Sequence, residues 1–278
     1  MANKLRLFAL VFAAAILLTA CGKRDEVTAS NDSIESAEEA LLKLPTEDIG
    51  SASALVGDCL WINVFMDNEQ CPWDAESKAA VKEMVTDAGN YITKQGKTYG
   101  AEVRFEYKWS DSEGSYPIPH YANGATFAVD TFKNSGYGGY DGYVNALLEG
   151  TEYGNYFLMF HFNCHGRSFS VPCDTAVGED SDYYSEFCVA FYSGKEDGDY
   201  FACPAAYAHE VLHCFGAVDI NEERLDSELN ALAEEYFPDD IMRAVPENIE
   251  NGSIGVLSAS LIGWKNSVPE GLKELLKN

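Results

Sequence analysis

The chain has 278 residues, 46% of them hydrophobic and 13% aromatic, with a formal charge of −26 at pH 7. That apolar content supports a substantial core in one large domain or two modest ones, which excludes disorder throughout. Basic clusters are few, so nothing is available to neutralise phosphates, and nucleic acid is excluded as a partner.

At the N-terminus Lys4 and Arg6 introduce a continuous apolar run over residues 7–18. This is the pattern of an export signal, and the run is short for a membrane span. Leu18-Thr19-Ala20-Cys21 follows directly and resembles the bacterial lipobox. The resemblance implies that residues 1–20 are removed and that Cys21 is lipidated, anchoring the protein to the outer face of a bacterial membrane; ordinary cleavage after Ala20 is the alternative. Residues 21–53 are rich in Ser, Ala, Glu and Asp and bury too little apolar surface to offset their ordering entropy, so they read as a flexible tether. Within them, residues 33–44 are good helix formers.

The folded body is expected over residues 54–278. It begins with a β-rich run from Cys59 to Met66. Asp74 then caps a helical pattern through Val81, Met84, Val85 and Ile92, closing near Gly96. From residue 101 to 109, Val103, Phe105, Tyr107 and Trp109 alternate with charged residues, the period of a half-buried strand. Strand, helix and strand at these lengths predict a βαβ start. Residues 110–155 are rich in Gly, Tyr and Asp and read as an elaborated surface region with helical patches at 126–133 and 143–148. Further strands are expected at 156–162 and 187–192, separated by a polar loop that carries Cys164 and Cys173. Beyond Cys21 there are seven cysteines, in a compartment where disulfides persist. Pairing sequence neighbours leaves Cys214 as a buried free thiol; the alternative is that none is bonded and all are small core residues.

The chemistry is concentrated in His209-Glu210-Val211-Leu212-His213. Helical residues four apart share a face, so His209 and His213 can present two imidazole nitrogens to one Zn²⁺. Glu210 then stands beside the metal, placed to take a proton from water and pass it to a leaving amine. The helix itself is credible, because Ala205, Ala206 and Ala208 are strong formers and Pro204 suits its first turn. A catalytic zinc takes three protein ligands and leaves a fourth position open, so one ligand is still missing.

Downstream the chain reads Cys214-Phe215-Gly216-Ala217-Val218-Asp219. With the preceding segment this resembles the metzincin zinc peptidases, whose signature is HExxHxxGxxH, or HExxHxxGxxD in some bacterial members. The resemblance implies a single catalytic Zn²⁺ held by His209, His213 and Asp219, with Glu210 as general base. Gly216 stands where the family breaks the helix, a position that needs φ > 0. The family also carries a turn with a methionine beneath the metal, and Phe237-Pro238-Asp239-Asp240-Ile241-Met242 has a suitable composition, which makes Met242 the candidate. Ala244 stands where some members have a tyrosine, so no tyrosine is assigned to oxyanion stabilisation. His120, His161 and His165 lack ligand spacing, although the latter two would share a face if they were helical.

The expected fold is α+β and zincin-like: a mixed sheet with a backing helix and the active-site helix, then helices over 255–264 and 269–276 in a small C-terminal subdomain from about residue 217. The expected function is zinc-dependent hydrolysis of extracellular protein or peptide substrates. Two rivals stay open. Glu234 or Glu235, about twenty residues past His213, could be the third ligand, as in gluzincins. Alternatively the chain could be a binding lipoprotein with a structural metal, although such a site needs no general base and is usually closed by four protein ligands.

Overall fold

The computed structural model describes residues 41–43, 50–67, 69, 71–112, 116–120, 124–172, 185–192, 202–265 and 267–276. The signal-like segment, Cys21, the tether up to residue 40 and Cys173 lie outside the described residues.

Residues Leu41–Lys43 form strand β1, not the end of a helix. The favourable helix propensity of that stretch yields here to antiparallel pairing with a strand near the chain end. Ser51 is buried and its hydroxyl donates to Glu186 Oε2 at 2.5 Å, as does the Ala52 amide at 2.7 Å, so the packed chain reaches upstream of residue 54.

Strand β2 (Gly57–Phe65), helix α1 (Ala75–Thr98) and strand β3 (Val103–Asp111) make the expected βαβ unit, with β2 and β3 parallel from Gly57↔Val103 to Phe65↔Asp111. The Asp74 side chain accepts from the Ser77 amide at 2.7 Å, which caps α1. Helices α2 (Gly124–Phe132) and α3 (Tyr140–Leu148) follow. Next come β4 (Tyr156–Phe162), a short strand β5 (Phe169–Val171) and β6 (Phe187–Phe191). The sheet order is β3-β2-β4-β6-β5, with β5 alone antiparallel, at one edge. Within the loop expected between residues 162 and 187, β5 was not anticipated.

Central strands of this sheet are apolar on both faces, as parallel sheets covered on both sides must be. Cys59, Trp61, Phe157, Met159, Cys188 and Ala190 belong to one core layer, shared with α1 and with the later helix α4 (Pro204–Cys214). Leu60, Ile62, Val64, Leu158 and Phe160 belong to the other, where Phe127, Phe132, Tyr140 and Tyr143 of α2 and α3 cover them. The region read as a surface elaboration is therefore the second covering layer. Its tyrosines and glycines hid this, because Tyr143 is buried by stacking on Phe132 and Tyr140 by packing against it at a tilt.

After α4 come α5 (Ser227–Tyr236), α6 (Val256–Leu261), β7 (Ser267–Pro269), which pairs with β1, and a closing 3₁₀ segment over Glu270–Leu276. The segment after residue 217 shares its core with the sheet, since Ile220, Met242, Ile254 and Leu257 pack in the same layer as Trp61 and α1.

The cysteines do not pair by sequence neighbourhood. Cys188 Sγ on β6 lies 3.3 Å from Cys214 Sγ on α4, Cys71 lies beside Cys164, and the described cysteines are free thiols. Proximity is decided by which face of the sheet each residue occupies, which spacing along the chain does not encode.

Candidate metal centre

Helix α4 starts with Pro204 at its first position, where a missing N–H is harmless. Tyr207, Ala208, Val211 and Leu212 are buried against the sheet, and this apolar stripe turns His209 and His213 to the other side. The helix ends in a Schellman arrangement: the Ala217 amide donates to Leu212 O at 3.0 Å and the Gly216 amide to His213 O at 3.0 Å. Gly216 takes φ of 95°, as the signature required.

This reversal returns the chain to the histidines. His209 Nε2 lies 3.4 Å from Asp219 Oδ1, His213 Nε2 lies 3.5 Å from the same oxygen, and the two Nε2 atoms are 3.1 Å apart. Among the described residues these three form the group of His, Cys, Asp and Glu side chains able to hold a metal ion. Each imidazole uses its other nitrogen on a backbone carbonyl, His209 Nδ1 on Ile241 O and His213 Nδ1 on Ala217 O, both at 2.9 Å. A carbonyl only accepts, so each Nδ1 carries the proton and each neutral ring aims an Nε2 lone pair at the centre. Asp219 Oδ1 is buried with no hydrogen-bond partner among the described residues. Three lone-pair atoms converging in this way repel one another unless a cation stands between them. In a tetrahedral zinc site with bonds of about 2.0–2.2 Å, neighbouring ligand atoms are about 3.3–3.6 Å apart, so the donor set fits an ion of that size.

Titration follows the same geometry. Burial opposes the charged form of His213, but Asp219 and Glu210 outweigh it and its pKa rises. Burial and the adjacent His213 bring that of His209 down. Burial pushes the Asp219 carboxyl up, yet the two histidines leave it below the ordinary carboxylate range.

Two contacts not anticipated from the sequence hold Asp219 and its neighbour in place. Arg224 Nη1 donates to Asp219 O at 3.0 Å and to Leu275 O at 2.9 Å, and the Ile220 amide donates to Met242 O at 3.0 Å. The turn that was expected to carry a methionine thus supports both sides of the site: Ile241 O orients His209, and Met242 O steadies the residue after Asp219. Met242 itself is fully buried. Asp240 fixes the turn, accepting from the Met242 amide at 2.9 Å, the Gly255 amide at 2.8 Å and Ser258 Oγ at 3.0 Å. In the sequence Asp240 counted only toward the composition of the turn; these three bonds had no signal there.

Glu210 is nearly buried and stands beside the triad, not in it; Ser170 Oγ donates to its Oε2 at 2.6 Å. His209, Glu210, His213, Asp219, Ser170 and Arg243 line a cavity of about 560 Å³. Of the rival ligands, Glu234 is exposed and lies 3.6 Å from Arg243 Nη2, and Glu235 is exposed as well; neither borders this cavity. His161 lies in β4 with Nε2 on Asn63 Oδ1 at 2.9 Å, fully buried and with its pKa pushed down to about 3 by desolvation. His165 and His120 are exposed and outside the triad, so no second metal group forms among the described residues.

No family model matches the chain, and no curated protein matches it. Among solved structures it is similar to the crystal structure of metalloproteinase-II from Bacteroides fragilis, at 10% identity and a TM-score of 0.39. That match covers 80% of this chain and 55% of the other, so the chain spans little more than half the length of that protein.

Proposed function

We propose that the chain is a zinc-dependent endopeptidase acting on protein or peptide substrates. The observation that carries the reading is the convergence of His209 Nε2, His213 Nε2 and Asp219 Oδ1 at 3.1–3.5 Å beside a Glu210 carboxylate that is not one of the three. A structural site is usually closed by four protein ligands, whereas among the described residues this set has three and opens on a cavity. That difference favours catalysis over the binding-lipoprotein alternative.

A zinc ion held by His209, His213 and Asp219 would polarise the scissile carbonyl and acidify the attacking water. Glu210 accepts the water proton as the new C–O bond forms and delivers it to the amine nitrogen as the C–N bond breaks. His209 and His213 are kept in one orientation by Ile241 O and Ala217 O, so no reorganisation is needed during turnover. The edge strand β5 borders the cavity through Phe169 and Ser170.

The test is turnover of an unfolded protein substrate before and after chelation. Chelator should abolish it and added zinc should restore it. Glu210→Gln should keep its zinc while losing about 10²- to 10⁴-fold in kcat, the usual share of general acid–base catalysis. Wild-type turnover in a zinc-replete Glu210→Gln sample would remove the mechanism.

The reading also includes export and lipid anchoring through Cys21 to the outer face of a bacterial membrane, supported by the apolar run and the tetrapeptide that follows it. Cys21→Ala should move the protein from the membrane fraction to the soluble one. An unchanged membrane fraction contradicts the anchor.

A further inference from the structure

On strand β5 the side chains of Phe169 and Val171 are buried in the core layer facing α2 and α3. Successive strand residues point to opposite faces, so Ser170 between them is turned toward α4. Its register partner on β6 is Cys188, which belongs to the α4 layer as well. The pairing of two strands therefore delivers one hydroxyl to the underside of the active-site helix at the level of Glu210.

Contacts at that point are specific. Ser170 Oγ lies 2.6 Å from Glu210 Oε2, 2.8 Å from Glu210 O and 3.3 Å from Cys188 Sγ. A hydroxyl has one proton, and the carboxylate is the stronger and nearer acceptor. Glu210 O can take its second donor from the Cys188 thiol at 3.4 Å, which leaves the serine proton to the carboxylate. Glutamate has three side-chain torsions, and each must be fixed for a proton to move along one direction.

We propose that Ser170 is a positioning residue that holds Glu210 in its proton-transfer orientation by a hydrogen bond to Oε2, leaving Oε1 as the oxygen that exchanges the proton. The inference rests on the reading of Glu210 as general base. In this role Ser170 acts through Glu210. Its loss should act on the rate of the chemical step and leave binding alone.

The experiment compares wild type, Ser170→Ala, Ser170→Thr, Glu210→Gln and the double variant Ser170→Ala with Glu210→Gln, each loaded with zinc, for zinc content, kcat and KM on one peptide. In Ser170→Ala, kcat should fall about 10- to 100-fold with zinc content and KM unchanged, the scale expected when a catalytic group is slightly misplaced. Ser170→Thr keeps the hydroxyl on a residue suited to a strand and should recover most of that loss. In the Glu210→Gln background, Ser170→Ala should cost little more, because the two residues act as one unit. Wild-type kcat in Ser170→Ala overturns the proposal while Glu210→Gln remains inactive and the base assignment stands. Loss of zinc, or a Ser170→Thr variant no better than Ser170→Ala, reduces Ser170 to a structural residue and also overturns it. Full activity in Glu210→Gln overturns the base assignment and this proposal with it.

Discussion

The three candidate ligands are each held by a contact away from the point where they converge. His209 and His213 spend Nδ1 on main-chain carbonyls, and the main chain of Asp219 is tied by Arg224, so three candidate ligands from two segments are fixed in orientation by the protein itself. Asp240 acts one step further out. It is fully buried, which pushes its carboxyl up, and it accepts from Met242, Gly255 and Ser258. Gly255 allows that approach: a Cβ there would stand 2.7 Å from Asp240 Oδ2. Removing the carboxylate leaves two amides and a hydroxyl without an acceptor and loosens the turn that presents Ile241 O to His209. Asp240→Ala should therefore cost about 1–3 kcal/mol of stability. It should also weaken zinc binding about 10- to 100-fold, since supporting partners of metal ligands typically have effects of that size. Denaturant unfolding of the metal-free protein and chelator competition measure the two separately. An affinity unchanged in a variant that is destabilised would show the turn to be merely structural.

Helix α4 is the element on which the site depends, and its end matters as much as its length. Gly216 at φ 95° has Leu261 O 3.4 Å from where a Cβ would be, so conformation, not crowding, makes glycine necessary. Gly216→Val should cost about 1–3 kcal/mol and carry Asp219 away from the histidines, lowering both the unfolding midpoint and the zinc content. Retention of full zinc by that variant would mean that the reversal does not position Asp219. Such a glycine could be read from the sequence, because it stands where the resembled signature breaks its helix, a position that needs φ > 0. The βαβ start was legible for a similar reason: the alternation of Val103, Phe105 and Tyr107 and the cap at Asp74 are local signals. Strand β5 was not, since three residues carry no period and its existence depends on β6 as a template. With β5 went Ser170. The pairing of Cys188 with Cys214 was hidden as well, because it is set by a strand and a helix meeting face to face.

At the scale of the whole molecule, the centre is assembled from α4, the 216–220 reversal and the 238–242 turn, with an edge strand and a C-terminal 3₁₀ segment behind them. No one of these segments holds the full candidate ligand set, so on the proposed reading metal affinity would be a property of the folded chain and metal binding would add to folding stability. The same convergence separates the rival third ligands. Asp219 lies within 3.4–3.5 Å of both histidine nitrogens, whereas Glu234 is on an exposed face beside Arg243. The decisive measurement is zinc per protein after dialysis against a graded chelator, for wild type, Asp219→Ala, Asp219→His, Glu234→Ala and Glu235→Ala. Asp219→Ala should release its zinc at far lower chelator than wild type, Asp219→His should retain more than Asp219→Ala, and both glutamate variants should match wild type. An Asp219→Ala protein that holds zinc like wild type, while Glu234→Ala or Glu235→Ala loses it, would contradict the three-ligand centre.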